Sequence, residues 1–235
     1  MMSKTSKTAF MKKTTSIPEL PPHTIHVWRV HIPDMRDRIE NFYALLSEDE
    51  QKKAQQLQQE KSRNSSIIAR GVLRTLLSGY LEIPATEIVF QYSKNGKPSL
   101  DTRIQKEPIS FNISHSNNWI LLAFGRRFKL GIDIEKIQPQ RQMQAIASRY
   151  FSPKERERLE KASDFKTLFF QLWAKKEAYV KASDSTLFQE LRQSRIPLSD
   201  GKDKWHLQSL EIDPQYAAAL VSDKRPNLLE HYHFG

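Results

Sequence analysis

The sequence predicts an α+β fold in which strands and long helices recur in both halves of the chain. Three observations carry that prediction. Apolar residues return at helical spacing over 67–81 and 165–182. Short apolar or alternating runs bounded by turn residues stand at 24–32, 88–92, 109–113, 119–124, 130–137, 205–212 and 216–222. The 235 residues suffice for a real core, and no repeat at solenoid periods is present.

Taken in order, the chain opens with a lysine-bearing segment without an apolar stretch, read as a disordered basic tail over 1–22. Thr24–Ile32 reads as a strand with one slip in its alternation. Asp37–Leu46 reads as a helix, and Ser47-Glu48-Asp49-Glu50 as the N-terminal cap of a second one through Leu57. In 67–81, Ile68, Val72, Leu76 and Tyr80 form an apolar stripe, with Arg70 and Arg74 on a more polar face. Asn95-Gly96 is a turn pair that tolerates positive φ. The run WILLAF at 119–124 predicts a strand covered on both faces. Two helices are expected at 142–151 and 153–162, with Pro153 at the start of the second. In the last long helix, Leu168, Leu172 and the pair Phe169/Trp173 build the buried stripe.

Composition narrows the function classes. There is no cysteine, which excludes disulfides, thiolate metal sites and a cysteine nucleophile, and fits a cytoplasmic location. No apolar run approaches the roughly 20 residues that span a bilayer. The formal net charge of +10 favours acidic partners: nucleic acid, an anionic membrane, phosphorylated cofactors or an acidic protein. No nucleic-acid reading motif accompanies the charge.

Four constellations carry chemistry. In Gly131-Ile132-Asp133-Ile134-Glu135, strand alternation sends both isoleucines to one face and both carboxylates to the other. Such a pair begins a hard-cation site, or is the solvated face of an amphipathic strand. Trp173, Glu177 and Lys181 lie four apart on one helix face, with Lys176 beside them. Glu177 could join the two strand acids around one metal, and the lysines could meet phosphates. The competing reading is a solvated Glu177–Lys181 pair. Phe111–Asn117 ends a strand in small polar residues around His115, which suits either an anion or a locally bonded turn. Lys97, after Gly96 and before Pro98, is a nucleotide contact or a turn lysine. No Walker loop and no GxGxxG is present, so any phosphate would be held by a cation and scattered basic groups.

FNISHS at 111–116, GIDIE at 131–135, RYFSPKE at 149–155 and WAKKEAYVK at 173–181 stand in the order and spacing of one known family. GKP at 96–98 and RGVLRTLL at 70–77 agree with it. Over roughly 24–222 the chain resembles the Sfp-type 4′-phosphopantetheinyl transferases. The resemblance implies two similar α/β halves related by a pseudo-twofold, 23–130 and 131–235, with the metal site in the second and coenzyme A in the cleft between them. It implies magnesium on Asp133, Glu135 and Glu177, and cofactor phosphates on Lys176 and Lys181. It puts Ser114 and His115 near the 3′-phosphate, Lys97 and Pro98 at the adenine, and Lys53 at the 3′-phosphate. Glu177 or Glu155 would be the base. The implied partner is an apo acyl or peptidyl carrier protein, served by a monomer that binds neither nucleic acid nor membrane.

Two positions depart from the family pattern. Ser65 stands where the family carries an arginine, for which Arg63 or Arg70 would substitute. The segment 182–187 lacks the usual glycine. These departures leave a second reading, an inactive relative that binds coenzyme A or a carrier. The rival from another class is a basic nucleic-acid binder.

Overall fold

A computed structural model describes residues 12–13, 16–101, 108–139, 142–185 and 205–235. Its elements are α+β in the order the sequence implies. A short β1 (Lys12–Lys13) is followed by β2 (Thr24–His31), a 3-10 turn over Ile32–Arg38, α1 (Ile39–Ala44), α2 (Glu48–Gln55) and α3 (Glu60–Leu81). Then come the hairpin β3 (Phe90–Tyr92) and β4 (Pro98–Leu100), and the strands β5 (Ile109–Ser116), β6 (Trp119–Arg126) and β7 (Leu130–Lys136). The second half adds α4 (Met143–Tyr150), α5 (Pro153–Glu160), α6 (Phe165–Ser183), β8 (His206–Leu210), β9 (Tyr216–Ser222) and β10 (Leu228–Phe234).

The same chain path is traced twice. β2, three helices, then β5 and β6 give the order β2-β6-β5, all antiparallel neighbours. β7, three helices, then β8 and β9 give β7-β9-β8, again antiparallel. The helices repeat in detail as well. Ser47 and Glu50 form a capping box at α2, and Ser152 and Glu155 form another at α5. Each box glutamate turns inward onto a cation of the following long helix. Glu50 takes Arg74 Nε at 2.7 Å, and Glu155 takes Lys176 Nζ at 2.8 Å. Both cations stand at the eighth residue before a left-handed C-cap, Glu82 (φ 56°) for Arg74 and Asp184 (φ 51°) for Lys176.

The layers run helix, sheet, sheet, helix. α3 packs Ile68, Leu73 and Leu76 onto one face of the first sheet, against Trp28, Leu122 and Phe124. The other face, with Ile25, Val27, Leu121 and Ala123, meets Ile132, Ile134 and Leu220 of the second sheet. α6 covers that sheet's far side, with Leu172 and Ala178 packed in one cluster with Ala219 of β9. β6 is therefore covered on both sides, as WILLAF predicts, although its neighbours are antiparallel.

Several expectations need correction. α3 starts at Glu60 rather than 67, because its first turns are polar and carry no apolar stripe. β5 runs on through Ser116, so Ser114 and His115 sit on a strand and not in a loop. The proposed tail over 1–22 is too long: Leu20 is buried, and Ile17 packs on the first core. β10, which the sequence pattern does not predict, crosses back to lie parallel to β2 in the first sheet.

β7 and β5 meet edge to edge without a backbone ladder. The free amides of Ile132, Ile134 and Lys136 donate to Asn112 Oδ1 (2.8 Å), Ser114 Oγ (3.4 Å) and Ser116 Oγ (3.0 Å). Side chains thus satisfy an edge that would otherwise be left open.

α6 lies on β7 with no clearance. A Cβ on Gly131 would land on the Ala178 carbonyl oxygen and the Ala182 nitrogen, backbone atoms that cannot swing aside. We expect Gly131→Ala to cost about 3 kcal/mol or more in urea unfolding. Gly96→Ala, at φ 80° but facing open space, should cost only about 1 kcal/mol. Equal costs would show that the close seat is not what Gly131 supplies.

Candidate functional site

Asp133 and Glu135 project from β7 toward α6, opposite Ile132 and Ile134, which enter the core between the sheets. The carboxylate face is covered and not solvated. Trp173, Glu177 and Lys181 face it from α6, and Ser114 and His115 from β5, around a cavity of about 510 Å³. A second cavity of about 270 Å³ adjoins it, sharing Ile113 and Lys181, with Gly96, Pro98 and Asn112 in its wall.

Asp133, 4% exposed, is the hub. Its Oδ1 accepts from Lys181 Nζ at 2.7 Å and from Ser114 Oγ at 2.8 Å. Its Oδ2 is buried and has no hydrogen-bond partner among the described residues. Burial pushes the Asp133 pKa up, opposed by the charge and hydrogen bond of Lys181. Glu135 is pushed up from 4.5 to about 7, first by burial, then by repulsion from Asp133 and Glu177; Lys181 and a hydrogen bond from Trp173 oppose the shift. Burial and Asp133 likewise raise Glu177. Three carboxylates thus crowd one cavity in which, among the described residues, Lys181 is the ammonium that offsets them. They are not gathered into a ready ligand set: among the described residues no group of three or more His, Asp or Glu side chains is placed to hold a metal ion. Lys181 occupies the side of Asp133 where positive charge is needed.

His115 lines the cavity from its exposed side. Desolvation lowers its pKa, helped by Lys181, so at neutral pH the imidazole is uncharged. Lys97 borders the second cavity, but its ammonium is tied to the Leu130 and Lys181 carbonyl oxygens, which close the end of α6. Ser93 Oγ and Asn95 Nδ2 reinforce that closure by donating to Asp184.

Several residues expected at a cofactor stand elsewhere. Lys176 is 3% exposed and Glu155 1%; they pair with each other, and neither lines a cavity. Glu155 spends one oxygen on its own cap amide. Arg70 pairs with Glu50 and lies over the Phe90 ring, and Lys53 lies over Tyr92, both away from the residues that line the two cavities. Arg63, the expected substitute for the arginine missing at Ser65, donates to the Leu57 carbonyl oxygen. That small hydroxyl is buried and donates to Lys61 O. The glycine-free segment falls, from 186 onward, outside the described residues. The link from Ser114 to Asp133 is not predicted by the motifs. Its signal is nevertheless present in the alternation of Asn112, Ser114 and Ser116 with the apolar Phe111 and Ile113.

Comparison with known proteins points to one family. A family model described as the 4′-phosphopantetheinyl transferase superfamily matches residues 129–227, and one described as 4′-phosphopantetheinyl transferase, N-terminal, matches 33–126. The 4′-phosphopantetheinyl transferase HetI of Nostoc sp. is 31% identical over 224 residues, covering 90% of this chain and 94% of the relative. The 4′-phosphopantetheinyl transferase Sfp of Bacillus subtilis is 28% identical over 202 residues, covering 81% of this chain and 88% of the relative. A solved holo-(acyl-carrier-protein) synthase from Bacillus anthracis, in complex with CoA (3′,5′-ADP), aligns with 43% of this chain and 93% of its own, at 17% identity and a TM-score of 0.35.

The carboxylate crowding has a thermodynamic signature. Glu135 holds its proton more tightly folded than unfolded, so its contribution to stability is complete below pH 4.5 and is lost as pH rises through about 7. In chelator at pH 8, Glu135→Gln should therefore raise Tm by roughly a few degrees, and at pH 4 by nothing measurable. A difference that is the same at both pH values would show that the shift is absent.

Proposed function

The chain belongs to the 4′-phosphopantetheinyl transferase superfamily, and from that premise we propose that the cavity of Asp133, Glu135, Glu177 and Lys181 is its active site. The reaction moves 4′-phosphopantetheine from coenzyme A to a serine of an apo carrier protein, giving the holo carrier and 3′,5′-ADP. One observation carries the assignment of the site: three carboxylates and a lysine from β7 and α6 meet in one cavity, within the segment that the superfamily model matches.

The donor set fits magnesium. It consists of hard oxygens, one of them the unpartnered Asp133 Oδ2, in a cavity where burial first, and then repulsion from Asp133, raises the pKa values of Glu135 and Glu177. Asp133, Glu135 and Glu177 would hold the ion, which when bound would supply positive charge to the pyrophosphate oxygens. The chain's own groups do the rest. Lys181, shared by both cavities, neutralises charge where the leaving phosphate departs. The carrier serine oxygen bonds to the β-phosphorus, the phosphorus–oxygen bond to 3′,5′-ADP breaks, and Glu177 takes the hydroxyl proton. Its place in the cavity wall opposite Asp133 and Ser114 suits it to that role. Glu155, buried against Lys176, is withdrawn as an alternative base. Gly96 and Pro98 give the nucleotide end a wall in the second cavity.

The repeated path divides the chain at the expected 130/131 boundary, except that β10 returns to the first sheet, and both halves of the repeat being in one chain favours a monomer. No helix among the described residues is long and apolar enough to cross a membrane. A cytoplasmic site of action follows from the lack of cysteine and from a carrier substrate, and the net charge of +10 speeds encounter with an acidic carrier.

Incubation with coenzyme A, magnesium and a panel of apo carriers should add the phosphopantetheine mass to at least one of them. Asp133→Ala and Glu177→Ala should each lower the rate by about 10²–10⁴-fold while circular dichroism stays native. No mass gain on any carrier would sink the reading. A fully active Glu177→Ala would move the base elsewhere.

A further inference from the structure

We propose that Lys176 and Glu155 never touch the cofactor, and that their buried pair is a positioning device fixing the rotation of α6, so that Glu177 and Lys181 face the cavity. The inference rests on the active-site reading above. It reverses the expectation that Lys176 meets phosphate.

Three observations support it. First, the pair is sealed. The two side chains are 3% and 1% exposed, 2.8 Å apart, and the Lys176 ammonium lies 5.2 Å from the centre of the Phe151 ring. Neither residue lines either of the two cavities described above. Second, the first half contains the same device without the chemistry. Glu50 and Arg74 repeat the capping box, the inward carboxylate, the aromatic neighbour (Phe90, 5.2 Å) and the register before the C-cap. At the position after the cation, α3 has Thr75 where α6 has Glu177, and Thr75 bonds its own helix at Gly71 O. A feature kept in a half without the acids belongs to the fold. Third, α6 is already pinned on another side, where Gly131 leaves no clearance for Ala178 and Ala182. The pair on α5 supplies a second, separate fixed point. Two fixed points on different faces set a helix's rotation, and Glu177, next to Lys176 in the chain, takes its direction from it.

The experiment separates positioning from contact. Lys176→Met leaves a buried carboxylate uncompensated and should lower Tm by roughly 10 °C. Glu155→Gln/Lys176→Met removes both charges, keeps the cap acceptor and should recover most of that loss. In the double variant we expect the Kd for coenzyme A, measured by calorimetry in chelator and without carrier so that Glu177 contributes nothing through a metal, to stay within about twofold of wild type, because Lys181 is held separately by Asp133, Ser114 and the Ile132 carbonyl. Its kcat should fall at least about tenfold, because Glu177 is no longer held. Lys176→Arg, which copies the carboxylate–guanidinium pair of the other half, should recover most of that kcat. As a control, Glu50→Gln/Arg74→Met should lower Tm and leave kcat unchanged. A tenfold rise in the coenzyme A Kd would overturn the proposal in favour of a direct contact. An unchanged kcat in the double variant would overturn it in favour of a role in stability alone. Wild-type protein that loads no carrier would sink the activity itself, whereas the Tm and Kd series would still report on the pair.

Discussion

The arrangement turns on one buried carboxylate. Asp133 belongs to β7, accepts from Ser114 on β5 and pairs with Lys181 on α6. A carboxylate held out of water is costly unless its oxygens are answered. Three elements must therefore be in place before Asp133 can be charged where it sits. One oxygen is answered within the chain and, among the described residues, the other is not. This asymmetry leaves an unmet carboxylate oxygen in the cavity that Asp133 shares with Glu135 and Glu177.

The seam between β5 and β7 bears on the same point. Two sheet edges meet there through side chains and not through a ladder. Ser114 serves both purposes, taking the Ile134 amide and donating to Asp133. The joint between the halves and the wall of the cavity are thus one set of atoms. A substitution there acts on packing and on electrostatics together.

Much of this was legible in the residues. The alternation in GIDIE sends Asp133 and Glu135 to one face, and the four-residue spacing of Trp173, Glu177 and Lys181 marks the facing helix side. The Asn95-Gly96 turn and the doubly covered β6 were also readable. What pattern could not convey was partnership over distance. Lys176, adjacent to Glu177 and charged, reads as a phosphate ligand until Glu155 is seen beside it. Arg70 reads as free until Glu50 claims it. β10 escaped because LLEHYHF mixes polar and apolar residues. His26 and Trp28 both meet Tyr80, and His26 also meets Glu230, so one of the polar positions of β10 is answered inside. The start of α3 escaped because polar turns of helix show no periodicity.

The return of β10 to the first sheet bears on biosynthesis. β2 is among the earliest described strands to be made, yet its parallel neighbour comes about two hundred residues later. Until then β2 has β6 on one side and an open edge on the other, with the Trp28 ring lacking the Tyr232 ring that stacks on it at 4.7 Å. Closing so long a loop adds little entropy per extra residue, but it is slow. A nascent chain on the ribosome therefore carries a nearly complete first unit with one exposed flank, a natural place for a chaperone to hold it. A ribosome stalled before Leu228 would leave a chain whose second sheet looks finished and whose first sheet cannot close.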